Sequence, residues 1–303
     1  MRRDLFGRGF GALLRYEAGS AYLSSGMTAF VNNTKTAMLL AALFGLIVWA
    51  GYALGSFNGM IIAGIFALVM NFGAWYASDK IAIAAMRGQQ VDEHNQPRLY
   101  AMVRELAARA ELPMPRVYIC PQQAPNAFAT GRNPKHSAVA VTAGALQLLN
   151  EDEMRGVLAH ELAHIKNRDT LTATIAATVA GLFSMMAQFA LFFGMGNRQG
   201  GHPLAVLGVV ILGALGAAII KAMLSRSREF VADADGAKIA GSPNGLASAL
   251  QRLESIAKRV PMENPNPAMN NMFIVEPFIG KTLTNLFATH PPTEKRIEAL
   301  LRG

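Results

Sequence analysis

Residues 157–169 read VLAHELAHIKNRD, and the twenty-eight residues that follow, 170–197, carry no charge. Upstream, Asn150 and Glu153 stand at capping-box spacing, so a helix is expected to start at Glu151 and run through the stretch. On that helix His160 and His164, four apart, lie one turn above each other on the same face. Two imidazole nitrogens can then reach one ion at about 2.0–2.1 Å. Glu161 is rotated by about 100° from His160, which sets it beside such an ion without coordinating it. That is the position of a general base for a water whose pKa zinc lowers to about 7.

Working outward, the composition points to a membrane protein with a sizeable aqueous portion. The chain has 303 residues, 52% of them hydrophobic, and is 16% charged, below the roughly 25% of soluble domains. Thr36–Ser78 is an uncharged run of forty-three residues interrupted by GSFNG at Gly55–Gly59, which reads as two spanning helices joined by a turn. Thr170–Asn197 is long enough for a third span, and Pro203–Ile220 is a shorter fourth, with RQGGH between them. A soluble buried hairpin is the alternative for this second pair, but neither run shows the polar face of a surface helix.

The formal charge of +8 is compatible with nucleic acid, with anionic lipid, or with membrane orientation. Distribution favours orientation. With this topology 27 of the 28 Lys and Arg residues fall on one side, and only Arg198 lies at a hairpin tip. The positive-inside rule assigns that side to the cytoplasm, so a bilayer is an expected partner and nucleic acid is not. Cys120 is the only cysteine, so there is no disulfide framework, and the residue reads as a buried thiol in a strand. The long polar lead before the first apolar run argues against a cleaved signal peptide.

The expected organisation is a cytoplasmic segment 1–35, a membrane hairpin 36–78, a cytoplasmic part 79–169 with the HExxH helix, a second hairpin 170–220, and a cytoplasmic part 221–303. Within the aqueous portion Leu99, Met102, Val103, Leu106 and Ala110 form a helical stripe over Pro97–Glu111. Val117–Cys120, Ser137–Thr142 and the AFATG between them read as strands. A further helix is expected over Gly245–Arg259, then a Pro/Asn-rich loop over Val260–Asn271, and a short helix after Pro291.

A catalytic metal needs a third protein ligand. His202 belongs to the opposite side of the membrane in this topology, whereas the second hairpin returns the chain at SRSREFVADADG with Glu229 and Asp233 at i,i+4. On spacing alone Glu229 reads equally as a ligand or as a solvated partner of Arg226 or Arg228. Asp169 reads as a marker of the membrane boundary, with support of the site as the second reading. His94 and His136 read as surface residues. A non-catalytic scaffold with a structural metal is the rival from another class, but such sites are usually closed by four protein ligands. Against a transporter, the spans carry no ionisable residue in their middles.

HExxH followed, after a membrane hairpin, by ExxxD in REFVADADG resembles the membrane-bound M48 metalloproteases, as do PNAFATG at Pro125–Gly131 and THPPTEKRI at Thr289–Ile297. The resemblance runs from Lys35 to the C-terminus. It implies a mainly helical fold with a small β-sheet: four transmembrane helices and a cytoplasmic gluzincin-type domain in a bacterial inner membrane. It further implies one zinc ion held by His160, His164 and Glu229, with Glu161 as base and Asp233 bracing a ligand histidine. Asn126, Ala127 and Phe128 would belong to an edge strand that pairs with an extended substrate backbone. His290 would donate to the developing oxyanion, although as a loop histidine it reads equally as a structural cap. The implied activity is zinc-dependent hydrolysis of peptide bonds in unfolded membrane proteins. No GxxxxGK[ST] loop suggests that it uses ATP.

Overall fold

The computed structural model describes residues 25–171, 227–257 and 291–302. The second membrane hairpin, the loop 260–271, His202 and His290 lie outside the described residues.

Helix α1 (Ser25–Tyr76) turns back on itself at Ser56, whose φ of 52° is the one break in right-handed geometry along it. The turn falls inside the GSFNG expected from sequence. Its two arms pack antiparallel: Asn71 Nδ2 donates to the Leu40 carbonyl at 3.1 Å. Near the turn Gly51 and Gly59 meet backbone to backbone, so that a Cβ on Gly51 would lie 2.5 Å from the Gly59 oxygen. Phe30–Trp49 and Ser56–Tyr76 are both long and apolar enough to cross a membrane. Their large apolar side chains, among them Trp49, Phe57, Ile62, Ile65 and Phe72, face outward, which is stable in lipid and costly in water.

The aqueous portion is built on a four-stranded sheet of order β1-β2-β4-β3, where β1 is Gln89–Val91, β2 Arg116–Cys120, β3 Ala127–Asn133 and β4 His136–Thr142. β2 and β4 are parallel, and the outer strands pair antiparallel. Side chains alternate across the sheet as the two-residue strand period requires. Val117, Ala127, Ala129, Val139 and Val141 enter the main core. Tyr118, Cys120, Phe128, Ala138 and Ala140 enter a smaller cluster with Ala82 and Ile83 of α2 (Ser78–Ala85) and with Met86, which caps that helix. Cys120 is therefore the buried strand thiol expected, and burial pushes it up to about 11.

Against the main core pack α3 (Pro97–Arg109), which carries the expected stripe, and α5 (Glu151–Lys166), α6 (Ser227–Ala240), α7 (Asn244–Ala257) and α8 (Thr293–Arg302). A short α4 (Ala143–Leu148) joins β4 to α5 and is capped by the Thr142 hydroxyl. Helix α5 is central, with His160, Glu161 and most of its other side chains buried. It begins with the predicted capping box: the Asn150 side chain accepts from the Glu153 N–H, and the Glu153 carboxylate from the Asn150 N–H. Two basic residues tie the sheet to the end of the second arm of α1 and to α2 just after it. Arg132 donates to the Tyr76 carbonyl at 2.8 Å and lies over the Tyr76 ring, while Arg116 pairs with buried Asp79. The sheet, and the helix beneath it, are thereby held next to the α1 hairpin.

Candidate metal centre

His160 and His164 project from the same face of α5, as i,i+4 spacing demands, with their Nε2 atoms 3.0 Å apart. The third group comes from α6. That helix lies so close that a Cβ on Gly236 would stand 2.9 Å from the His160 backbone, and only glycine permits this approach. The approach turns Glu229, 5% exposed, toward both rings. Its carboxylate oxygens are 3.7 Å from His160 Nε2 and 3.8 Å from His164 Nε2. One ligand atom from each of the three residues fits within a 4.8 Å cluster. Glu229 thus faces the histidines, and of the two surface readings the solvated one does not describe it.

The outer ring nitrogens are held by carboxylates. His160 Nδ1 is 3.0 Å from Asp233 Oδ1, and His164 Nδ1 is 2.9 and 3.0 Å from the two Asp169 oxygens. Such partners fix the tautomer with Nδ1 protonated and the Nε2 lone pairs turned inward. Nitrogens 3.0 Å apart need a cation shared between them, and either a proton on the His164 ring or a metal ion meets that need. Tetrahedral ligands at about 2.0–2.1 Å from a zinc ion stand roughly 3.3–3.4 Å from one another, and the observed 3.0–3.8 Å separations bracket that value. Two imidazoles and a carboxylate are also the donor set of known catalytic zinc sites. The residues therefore fit a divalent metal.

Electrostatics follow from burial and these contacts. Burial pushes the Glu161 carboxyl up to about 7, Glu229 adding to the shift while the His164 charge and a hydrogen bond from the Ala129 N–H oppose it. Burial alone would lower His164, but the charge of Asp169, its hydrogen bond, and the Glu229 and Glu161 charges outweigh it and raise the ring to about 9. His160 is lowered by burial and by the neighbouring His164.

Arg296 escaped the sequence reading, and for Asp169 support of the site, its second reading there, is the one the geometry favours. Asp169 is the partner of His164. Its role follows from the backbone turn after α5, where Arg168 takes φ 56° and folds the side chain of residue 169 back onto the helix. Arg296, 1% exposed on α8, donates to both Asp233 oxygens at 2.9 and 2.7 Å and lies 3.5 Å from Glu229. The signal available was an arginine in an amphipathic helix that also carries Lys295 and Arg302, which reads as surface. His94 and His136 are exposed, as expected.

Asn126, Ala127 and Phe128 lie at the start of β3, the edge strand beside β4. The Asn126 main chain is turned to β4: its carbonyl accepts from the Thr142 N–H and its N–H donates to the Thr142 hydroxyl. By strand alternation Phe128 is turned the same way, and Ala127 and Ala129 away from β4, in keeping with the Ala129 N–H reaching Glu161. The Phe128 side chain is buried on the far face of the sheet, toward α2.

A buried HExxH helix joined by a carboxylate from a second helix offers the two-histidine, one-glutamate donor set of a metallopeptidase. A model of peptidase family M48 matches residues 93–302, and the chain belongs to that family; it is a metalloprotease. Among similar proteins are curated relatives described as "Protease HtpX homolog". One from Nostoc punctiforme is 52% identical over 278 residues, covering 89% of this chain and 96% of the relative. Another from Syntrophobacter fumaroxidans is 49% identical over 277 residues, covering 89% and 98%. The crystal structure of S. mikatae Ste24p aligns with 90% of this chain and 67% of its own at a TM-score of 0.48 and 18% identity, a likeness too distant to carry an inference.

Proposed function

We propose that the protein is an integral-membrane zinc endopeptidase that cleaves misfolded or damaged membrane proteins at the cytoplasmic face of a bacterial inner membrane. Four spans, both termini and the catalytic parts 79–169 and 221–303 on the cytoplasmic side, and one zinc per chain belong to this reading. The observation that carries it is the convergence of His160, His164 and Glu229, sixty-five residues beyond the second histidine, within 4.8 Å of one another. The location next to the hairpin supports substrates met as loops and span ends of other membrane proteins, and the clustering of basic residues supports the sidedness.

His160, His164 and Glu229 would hold the zinc, and Asp233 and Asp169 would keep the two rings aimed. When bound, zinc supplies Lewis acidity that polarises a carbonyl and brings the acidity of water near neutrality. Glu161, with a pKa raised to about 7, takes the proton of the attacking water and returns it to the leaving amine, the two tasks a base poised near ambient pH performs well. The Ala129 N–H orients the Glu161 carboxylate. An extended substrate pairs along β3 at Asn126–Phe128, through the main-chain groups of Ala127, which face away from β4. Recognition is then largely independent of side chains. His290 donates to the developing oxyanion, a contribution typically of roughly 2.7–4 kcal/mol.

Purified protein with zinc and an unfolded substrate tests the reading. Glu161→Gln is expected to retain zinc and lose cleavage, while Glu229→Ala weakens zinc binding itself. Full proteolysis by Glu161→Gln refutes the base, and unchanged zinc affinity in Glu229→Ala refutes the ligand set.

A further inference from the structure

The turn that places Asp169 is held from two sides, and one of them is the membrane hairpin. Helix α5 ends at Lys166, Asn167 caps it, and Arg168 takes the left-handed φ of 56°. The Asp169 N–H then returns to the His164 carbonyl at 3.3 Å while its carboxylate reaches the His164 ring. Carbonyls in the last turn of a helix have no partner within it, and a buried helix end must find donors elsewhere. Asn167 is 2% exposed. Its carbonyl accepts a buried hydrogen bond of 2.8 Å from Asn32 Nδ2, and Asn32 lies in the first candidate span of α1. The Asn167 side chain in turn donates to Asp235 on α6 at 3.1 Å, two residues beyond Asp233. From the first turn of the same helix Arg228 approaches the Asp169 carbonyl at 3.5 Å.

Asn32 is itself fixed. It is 3% exposed, and Leu39 and Leu43, further along the same arm, are fully buried. Polar residues of a spanning helix near the interface ordinarily reach water or headgroups, whereas this one is spent on a single carbonyl of the catalytic helix. Asn167 therefore links three elements: the first span, the helix with both histidines, and the helix with Glu229.

We infer that Asn32 is a positioning residue for the metal site: it holds the 167–169 turn, so that Asp169 aims His164 only while the first membrane helix is docked. The inference rests on the proposed reading of His160, His164 and Glu229 as metal ligands. Loss of a carboxylate that touches a ligand histidine costs about 10–100-fold in metal affinity, and Asn32 acts one step further out, through the backbone of the turn. Removing it lowers zinc affinity about threefold to tenfold.

The experiment is chelator competition for zinc on the full chain in detergent, comparing wild type, Asn32→Ala and Asn71→Ala. The last variant breaks the Asn71–Leu40 hydrogen bond within the same hairpin but touches nothing near Asn167. Weaker zinc binding by Asn32→Ala, with Asn71→Ala within about twofold of wild type, supports the inference. Wild-type affinity in Asn32→Ala, or an equal loss in Asn71→Ala, overturns it, the second outcome meaning that only general hairpin stability matters. Should Asn32→Ala not accumulate as folded protein, Asn32→Ser, which also cannot span to the Asn167 carbonyl, is read in its place. A wild-type chain that binds no zinc overturns the ligand reading itself, and is thereby distinguished from failure of the Asn32 role.

Discussion

Replacing Arg296 by Met tests whether a buried guanidinium sets the electrostatics of the centre. Arg296 and Asp233 are 1% and 2% exposed and joined by two contacts of 2.7 and 2.9 Å. Burial alone would raise the Asp233 carboxyl, but Arg296 holds it below the ordinary range, with His160 contributing less. Without the guanidinium a carboxylate stays buried beside Glu229. Removing one partner of such a pair costs about 3–5 kcal/mol, because the survivor is an uncompensated charge. At about 2–4 °C per kcal/mol for a domain of this size, the metal-free variant should melt roughly 6–20 °C below wild type. Excess zinc should recover part of the loss, since a divalent cation compensates the same carboxylates. Adding Asp233→Asn should recover part of it too, because a buried neutral pair avoids the isolated charge. The assay is a thermal melt of the four members of this double-mutant cycle, each with and without zinc. The reasoning is refuted if Arg296→Met melts with wild type, or if the double variant falls by the sum of the two single losses, which would mean the groups are not coupled.

Three further outcomes are expected. Gly236→Ala places a Cβ 2.9 Å from the His160 backbone and must push α6 away from α5; overpacking of this kind costs typically 1–3 kcal/mol, and zinc content and melting temperature should both fall. Gly51→Val meets Ala63 and the Gly59 carbonyl at 2.2 and 2.5 Å, so it forces the arms of the α1 hairpin apart; a disulfide trap across the two arms near the turn should form more slowly than in the parent. For acid stability the group to follow is Glu153. Burial raises its carboxyl, but the Ser248 hydroxyl, the Asn150 N–H and Arg252 together outweigh burial and leave it below its ordinary value. A depressed carboxyl contributes stability that is complete above its unfolded pKa of about 4.3 and is lost as the pH falls toward the folded value. Melts taken down through that range should therefore drop, and Glu153→Gln should flatten the drop; an unchanged acid limb in the variant would show that Glu153 does not drive it.

Much of the centre was legible because its chemistry is local. His160, Glu161 and His164 share one helical turn and a half, and the Asn150–Glu153 cap that starts the helix lies in the same segment. The strands over 117–120 and 137–142 were visible as β-branched runs, and AFATG as a third. β1 escaped because three residues, two of them glutamine, carry no pattern, and α2 because it directly follows an apolar run. Arg296 escaped, and Asp169 was read first as a boundary marker, for a different reason: each is an ordinary charged residue by sequence, and only its neighbours in space make it part of the site.

Sequence by itself determined whatever depends on periodicity and reach along the chain. It set the HExxH face, the capping box and the length of the apolar arms, and it placed their reversal at GSFNG. These follow from bond geometry within about one helical turn, or from the thickness of a bilayer. Tertiary structure decided which carboxylate faces the histidines, which aspartates hold their outer nitrogens, and that β4 lies between β2 and β3, leaving β3 at the edge. Those outcomes depend on how closely two helices can approach. Here a missing Cβ at Gly236 brings Glu229 and Asp233 to His160, and an asparagine in the first arm of α1 bonds the turn that carries Asp169 to His164.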